Sequence, residues 1–437
     1  MKVIKPKMIK SDYQYKPRLV DSLLNRKLQG CGAVLIEGPK WCGKTTTAEQ
    51  HAASSLFMDN PASRENNLQI AQLDPSLLLA GPTPRLIDEW QIAPSIWDAV
   101  RFEVDHRHDD CQFILTGSAV AQISEVEKYQ MHTGTGRISR LKMRTMSLFE
   151  SGDSNGSVSL KSLFDGEECK GYASSDLQEI AFLCCRGGWP KATFQKSEIA
   201  LDRADDYYQA IVNYDVSRIE KRQYNPERLK RLMRSYARLQ GSQASASLIT
   251  ADMKTGDVDS LDPRTVQSYI ESLKLIFVIE DMPAWNPNLR SKAALRSGDT
   301  RYFSDPSIAT ASLGIGPSDL LNDLNTFGFI FESLCVRDLR VYAQMIGGEV
   351  YHFRDSDGLE CDAVVHLRNG SYGLVEIKLG GDRLIEEGVA NLIKLSKKID
   401  SNKMGSPAFM MVLTATGQFA FKRADGVYVV PISSLRD

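Results

Sequence analysis

The sequence has no Cys-x-x-Cys pair, no run approaching 18 apolar residues and almost no net charge, and each absence narrows what the chain can be. Its eight cysteines (31, 42, 111, 169, 184, 185, 335 and 361) follow no metal-ligand rhythm, so reduced thiols in a cytoplasmic protein are expected. Cys184 and Cys185 read as core filling. The opening MKVIKPKMIK is basic but lacks the apolar stretch of a signal peptide, so neither export nor a membrane span is expected. A formal charge of −2 gives no global pull toward nucleic acid or acidic membranes, and any such binding must come from a local patch. The chain is globular in composition, and its 437 residues exceed what one core usually holds. Two or three domains are expected.

What is present starts at GPKWCGKT, residues 38 to 45, which follows the apolar run Ala33-Val34-Leu35-Ile36. Thr46-Thr47-Ala48-Glu49-Gln50 can begin a helix, giving the strand, loop and helix that a phosphate cradle requires. Gly38 and Gly43 let backbone approach phosphate oxygens, and the amides that follow Pro39, at Lys40, Trp41 and Cys42, with that of Thr46 at the helix start, point donors at anionic charge. Lys44 would reach the β and γ phosphates of ATP, and the Thr45 hydroxyl would be one ligand of Mg²⁺. A second acidic site is needed, and PRLIDEW at 84 to 90 supplies it: Asp88 at a strand tip for the metal, Glu89 as general base for water. An acidic turn alone is commonplace; the partnership with residues 38 to 45 makes it informative. Leu56-Phe57-Met58-Asp59 reads as an extra strand. Phe113-Ile114-Leu115 reads as another, running into Thr116-Gly117-Ser118, where Ser118 would sense the γ-phosphate. Strands alternating with helices make a parallel α/β sheet with ligands at the strand ends.

GPKWCGKT, LIDEW, LTGS, GRISRLKMRTMSLFE at 136 to 150 and RGGWPKA at 186 to 192 together resemble the predicted AAA+ family ATPases of bacteria and archaea that carry an additional C-terminal domain. The resemblance covers nearly the whole chain. It implies an AAA+ type core in which Arg137 senses or completes a nucleotide site, in its own subunit or a neighbour's. Arg140 is an alternative for that role, and either residue is otherwise a surface cation. An oligomer is compatible with such chemistry.

The middle of the chain changes character. Residues 218 to 238, RIEKRQYNPERLKRLMRSYAR, hold eight Lys or Arg against two Glu. Asn225 and Pro226 suit the cap and first position of a helix. Leu229, Leu232, Met233 and Tyr236 then share one face, with Arg228, Arg231, Arg234 and Arg238 opposite. That stripe either tracks the phosphates of DNA or RNA or is the solvated back of a core helix. DPRTVQSYIESLKL gives a second amphipathic helix leading into a short strand at Ile276-Phe277-Val278-Ile279, an order that suits a winged-helix-like segment.

Residues 360 to 379, ECDAVVHLRNGSYGLVEIKL, read as two strands around a turn at Asn369-Gly370. A two-residue loop would mix charge into both sheet faces. A three-residue loop at 368 to 370 pairs Leu367 with Ser371 and separates apolar Ala363, Val365, Val375 and Ile377 from Glu360, Asp362, Glu376 and Lys378. A one-residue slip flips every side chain, so the register that separates oil from charge is expected. Asp362 then faces Glu376, with Lys378 one step along. Two carboxylates and a lysine on one strand edge suit metal-assisted phosphodiester cleavage. This resembles the PD-(D/E)xK restriction-endonuclease-like nucleases, which implies Asp362, Glu376 and Lys378 as the motif and Glu332 in GFIFESL as a helix acid, with Glu332, Asp362 and Glu376 around the metal. Cys361 stands where the motif has proline, and a Glu-x-Lys strand is also an ordinary surface ion pair.

The resulting expectation is a P-loop AAA+ type ATPase domain at 1–200, a helical or winged-helix-like segment at 201–285 and a restriction-endonuclease-like α/β domain at 286–437. The chain would hydrolyse ATP with Mg²⁺ and act on DNA or RNA through the basic helix and the C-terminal domain. The alternative is a nucleotide-switched interaction protein that docks a protein partner on an inactive nuclease-like domain. A P-loop kinase is the weakest reading, since Glu89 beside Asp88 favours water activation.

Overall fold

The computed structural model describes residues 15–118, 134–167, 169–196, 198–216, 225–254, 262–286, 298–399 and 404–437. The basic opening decapeptide and residues 218–224 of the basic stretch lie outside them. Five parallel strands form the N-terminal sheet: β1 (Ala33–Glu37), β2 (Ser54–Phe57), β3 (Arg85–Asp88), β4 (Phe113–Gly117) and β5 (Ile138–Lys142), in spatial order β2-β3-β4-β1-β5. β1 therefore lies inside the sheet, buried along Ala33, Val34, Leu35 and Ile36, with separate apolar clusters on the two faces. Helix α1 (Lys44–His51) starts directly after the glycine loop, as the sequence requires. The strand expected at 56–59 runs instead from Ser54 to Phe57, where it pairs in register with β3.

From Leu148 onward one large apolar core joins the helical middle of the chain to the C-terminal sheet. Two short strands, β6 (Val158–Ser159) and β7 (Gly171–Tyr172), pair with strands near the C-terminus. Helix α2 (Leu177–Arg186) buries Cys184 and Cys185 in this core. The basic segment forms α3 (Pro226–Arg238), with the Asn225 side chain accepting from the amides of Glu227 and Arg228. Leu229, Leu232, Met233 and Tyr236 are buried and Arg231 and Arg234 exposed, so the described part of the stripe is the outer face of a core helix. Helices α4 (Ala246–Met253) and α5 (Pro263–Leu275) follow. The strand expected at 276–279 is not formed: Phe277 takes φ 61° in a turn, and among the described residues this segment makes the isolated bridges Ile279 with Phe303, Met282 with Thr300 and Ala284 with His352.

The C-terminal unit runs α6 (Leu324–Met345), β8 (Gly348–Arg354), β9 (Glu360–Leu367), β10 (Tyr372–Lys378), α7 (Asp382–Lys398) and β11 (Phe409–Thr414), followed by β12 (Phe419–Lys422), β13 (Tyr428–Pro431) and β14 (Leu435–Arg436). β14 pairs with β6, and the seven-stranded sheet has the order β7-β12-β13-β11-β10-β9-β8. β8, β9 and β10 are antiparallel, and β10 and β11 parallel. The three-residue loop is realised: Leu367 donates its amide to Ser371 at 2.8 Å, Gly370 takes φ 90°, and Val375 pairs with Ala363. Ala363, Val365, Val375 and Ile377 share a core with Phe331 and Leu334 of α6. The opposite face is not open to water. α7 covers it, packing Val389, Leu392 and Leu395 on Val364, Tyr372 and Leu374.

Candidate functional site

The glycine loop is held from several sides. A Cβ on Gly38 would lie 2.0 Å from the Met143 carbonyl oxygen, and Gly43 takes φ 102°, so both positions depend on glycine. Trp41 has φ 66°, which costs on the order of 1–2 kcal/mol for a residue with a Cβ and must be held by its surroundings. Its ring lies 5.5 Å from that of Tyr207, which lies 4.1 Å from that of Trp189 in RGGWPKA. Lys40 pairs with Asp215 at 2.5 Å. The Cys42 thiol is turned toward the Met143 carbonyl at 3.7 Å, and Thr46 sits in the first turn of α1. The Cys42 side chain is thus buried in protein and Lys40 is engaged by Asp215, while Trp41 stays half exposed beside Tyr207.

Sequence reasoning missed Arg18. Its buried guanidinium donates to the Cys42 carbonyl at 2.8 Å, the Arg144 carbonyl at 2.9 Å and Glu150 at 3.0 Å. Two of these bonds join residues more than a hundred positions apart, and no local pattern could disclose them. Lys44 donates to the carbonyls of Gly38 and Pro39 at 2.9 and 2.8 Å. Thr45 donates to Asp88 Oδ1 at 2.7 Å, and Thr116 on the next strand tip donates to the same oxygen. Asp88 and Glu89 therefore stand across from the loop as expected. Thr45 and Asp88 offer hard oxygen donors side by side, which fits Mg²⁺.

Glu89 takes φ 53°, turning its side chain toward Gln91, whose amide donates to it, and Ser118, which donates at 3.3 Å. Burial pushes its carboxyl above the usual range; Lys44 opposes that and the charge of Asp88 adds to it. A carboxyl raised toward neutrality suits a general base. Arg137 does not belong to this group within one chain. Its carbonyl accepts from Ala33 at the start of β1, whereas the glycine loop follows the end of that strand, and its guanidinium pairs with Asp105 at 2.8 Å. Arg140 pairs with Glu37 at 2.8 Å.

The second polar centre lies in the C-terminal unit. Asp362 turns back on its own ladder and accepts from the amide of Ile377 at 2.7 Å. Lys378 bridges Asp362 at 3.1 Å and Glu376 at 2.7 Å, and Asn391 of α7 donates to Glu376 at 2.7 Å. The three strand residues named from the sequence do meet. Glu332 of α6 lines a cavity of about 660 Å³ together with Asp362 and Lys378, and there it accepts from the Tyr302 hydroxyl. Burial, followed by the charge of Asp362, raises Glu332 to about 8 and Glu376 to about 7. Burial lowers Lys378, but Asp362 and Glu376 more than reverse this and hold it above its ordinary value. Glu376 is only 3% exposed beneath α7. Among the described residues no group of three or more His, Cys, Asp or Glu side chains could hold a metal ion, so Glu332, Asp362 and Glu376 do not fit a three-carboxylate metal site. Nor is any described helix long and apolar enough to cross a membrane.

Three family models match parts of the chain. Residues 31–151 match the AAA domain, residues 177–319 a domain of unknown function (DUF8612), and residues 327–435 another domain of unknown function (DUF4143). No curated protein matches. A solved structure, the Walker-type ATPase PABY2304 of Pyrococcus abyssi, aligns over 69% of this chain and 99% of its own at 11% identity, with a TM-score of 0.41. The AAA match covers the strand, loop and helix that carry Lys44 and Thr45 as well as the strand that ends at Asp88, so residues 31–151 are similar to the AAA-type domains of P-loop ATPases.

Proposed function

We propose that this chain is a Mg²⁺-dependent AAA-type ATPase whose turnover is coupled to nucleic acid engaged by its C-terminal unit. The observation that carries the reading is the 2.7 Å bond between Thr45 and Asp88, with Lys44 and Glu89 on either side of it. Thr45 and Asp88 would hold Mg²⁺, which would offset the charge of the phosphates. The chain's own groups supply the rest. The loop amides and Lys44 orient the triphosphate, and Glu89 takes a proton from the attacking water, with Ser118 fixing the carboxylate that does so.

For the C-terminal unit, the order α6-β8-β9-β10-α7-β11 and the convergence of Asp362, Glu376 and Lys378 support the likeness to PD-(D/E)xK nucleases. The bridged segment at 279–303 after three helices supports a winged-helix-like module. The second reading, a nucleotide-switched interaction protein with an inactive nuclease-like domain, is favoured by the closed ion pairs of Lys378 and by the missing three-carboxylate group.

Steady-state ATP turnover with and without single- and double-stranded DNA and RNA, run beside Lys44→Ala, separates the readings. Turnover that depends on Mg²⁺ and rises with nucleic acid is expected. Turnover indifferent to every nucleic acid, with a protein partner recovered only in the presence of ATP, would select the second reading.

A further inference from the structure

β5 is an edge strand of the ATPase sheet, and the end of α6 covers it: Gln344 donates to the Lys142 carbonyl at 2.9 Å. Between this edge and the β8–β9 end of the C-terminal sheet lies a cleft of about 650 Å³. Its walls carry Arg140, Lys142, Arg144, Arg340 and Arg368; three of these surround Glu280, and Arg140 pairs with Glu37, which does not line the cleft. Glu280 takes Arg144 at 2.7 Å and Lys142 at 2.8 Å, with Arg340 at 4.0 Å. Three cations are thus gathered on one carboxylate. The other acids of the wall do not restore balance. Asp281 is satisfied by Arg301 at 2.6 Å and Lys274 at 3.0 Å, neither of which lines the cleft, and Glu349 accepts from the Tyr351 hydroxyl at 2.8 Å.

We propose that this cleft binds the phosphodiester backbone of a nucleic-acid strand. The inference rests on the nucleic-acid part of the function proposed above, but on residues that the nuclease-like centre does not use. Four of the five cations are arginines, whose planar forks match phosphate oxygens. Arg140, Lys142 and Arg144 recur at every second residue on one side of the extended chain; Lys142 and Arg144 converge on the same Glu280 oxygen, where a phosphate would compete with that carboxylate, while Arg140 and Arg368 are exposed. Tyr351 and His366, both half-buried, also line the cleft with ring centroids 6.4 Å apart, aromatic groups of the kind on which bases stack. An acidic peptide would use the cations but not the rings.

The test is fluorescence anisotropy of labelled single-stranded DNA and RNA with the full chain across a salt series. It compares the parent with Arg140→Ala/Arg368→Ala and with Arg140→Lys/Arg368→Lys. Both positions are exposed, and melting temperature confirms that each variant is folded. The alanine pair is expected to weaken binding about tenfold at low salt and to flatten the salt dependence by about 0.7 per lost phosphate contact, while the lysine pair keeps the slope. Parent-like affinity and slope in the alanine pair, with the parent binding well, would overturn the cleft and leave the broader function standing. Absence of oligonucleotide binding by the parent would remove both. Displacement by polyglutamate as effective, per charge, as by unlabelled oligonucleotide would also overturn the assignment.

Discussion

The nucleotide cradle and the C-terminal acid–lysine centre are both buried polar constellations, yet they handle charge in opposite ways. In the cradle, Lys44 is bonded only to neutral carbonyls, and the strain at Trp41 and Glu89 keeps backbone donors and a raised carboxyl facing one another. Its positive charge stays available to an incoming anion. In the C-terminal centre Lys378 is already bridged to two carboxylates, and Glu332 and Glu376 tend to hold protons near neutral pH. A receptive site keeps its charges separate. A self-neutralised one must first be opened.

The largest expected effect follows from the cradle. Lys44→Ala removes a cation that nothing else in the loop replaces, so ATP turnover should fall by roughly a hundredfold or more, the loss typical of removing one preorganised charge donor. Glu89→Gln should cost a similar factor in turnover while leaving nucleotide affinity nearly unchanged, because only proton transfer is lost. Equal losses of affinity and turnover in Glu89→Gln would place this residue in binding instead. Asp362→Ala and Lys378→Ala should leave basal ATP turnover within about twofold, since neither touches the cradle, and should abolish any metal-dependent loss of DNA or RNA. Cleavage that persists in Asp362→Ala would assign it to other residues.

The same contrast predicts different responses to pH. Glu332 and Glu376 have folded-state pKa values raised to about 8 and about 7 from an ordinary 4.5. Between pH 5 and 8 the folded state therefore holds protons that the unfolded state has lost, and stability falls as pH rises through that window. In buffer containing a chelator, the melting temperature of the parent should drop by several degrees from pH 5 to pH 8, and Glu332→Gln should flatten the decline. An unchanged slope in Glu332→Gln would show that this carboxyl is ordinary.

How much of this was legible in the sequence depends on how local each feature is. The glycine loop, its strand and its helix lie within twenty residues, and Gly38, Gly43, Lys44 and Thr45 could be assigned their places directly. The hairpin register was equally readable, because one buried face admits only one pairing of Ala363 and Val375. Coverage of the other face by α7 was not. Alternation reports that a strand has two faces, but it cannot say that a helix beginning at Asp382 will close the charged one. Thr116 as a second partner of the Asp88 carboxylate, Arg18 as the brace of the loop, and Glu280 at the centre of three cations all arise from chain crossings of long range. The turn at Phe277 defeated a β-rich tetrapeptide because the chain needs φ 61° there to leave α5.

The smallest expected effect is the most discriminating for Arg137. The residue lies at the end of β1 away from the glycine loop and is tied to Asp105 on the surface, so within one chain it has no route to a triphosphate. Arg137→Ala should therefore leave melting temperature and dilute-solution turnover unchanged. A role supplied to a neighbouring copy makes a different forecast: specific activity of the parent rises with protein concentration, that of Arg137→Ala does not, and a mixture with Lys44→Ala recovers activity. Steady-state turnover measured from nanomolar to micromolar protein distinguishes these cases. Parallel curves for parent and variant assign Arg137 to the surface pair with Asp105. Divergence only at high concentration assigns it to a neighbour's nucleotide.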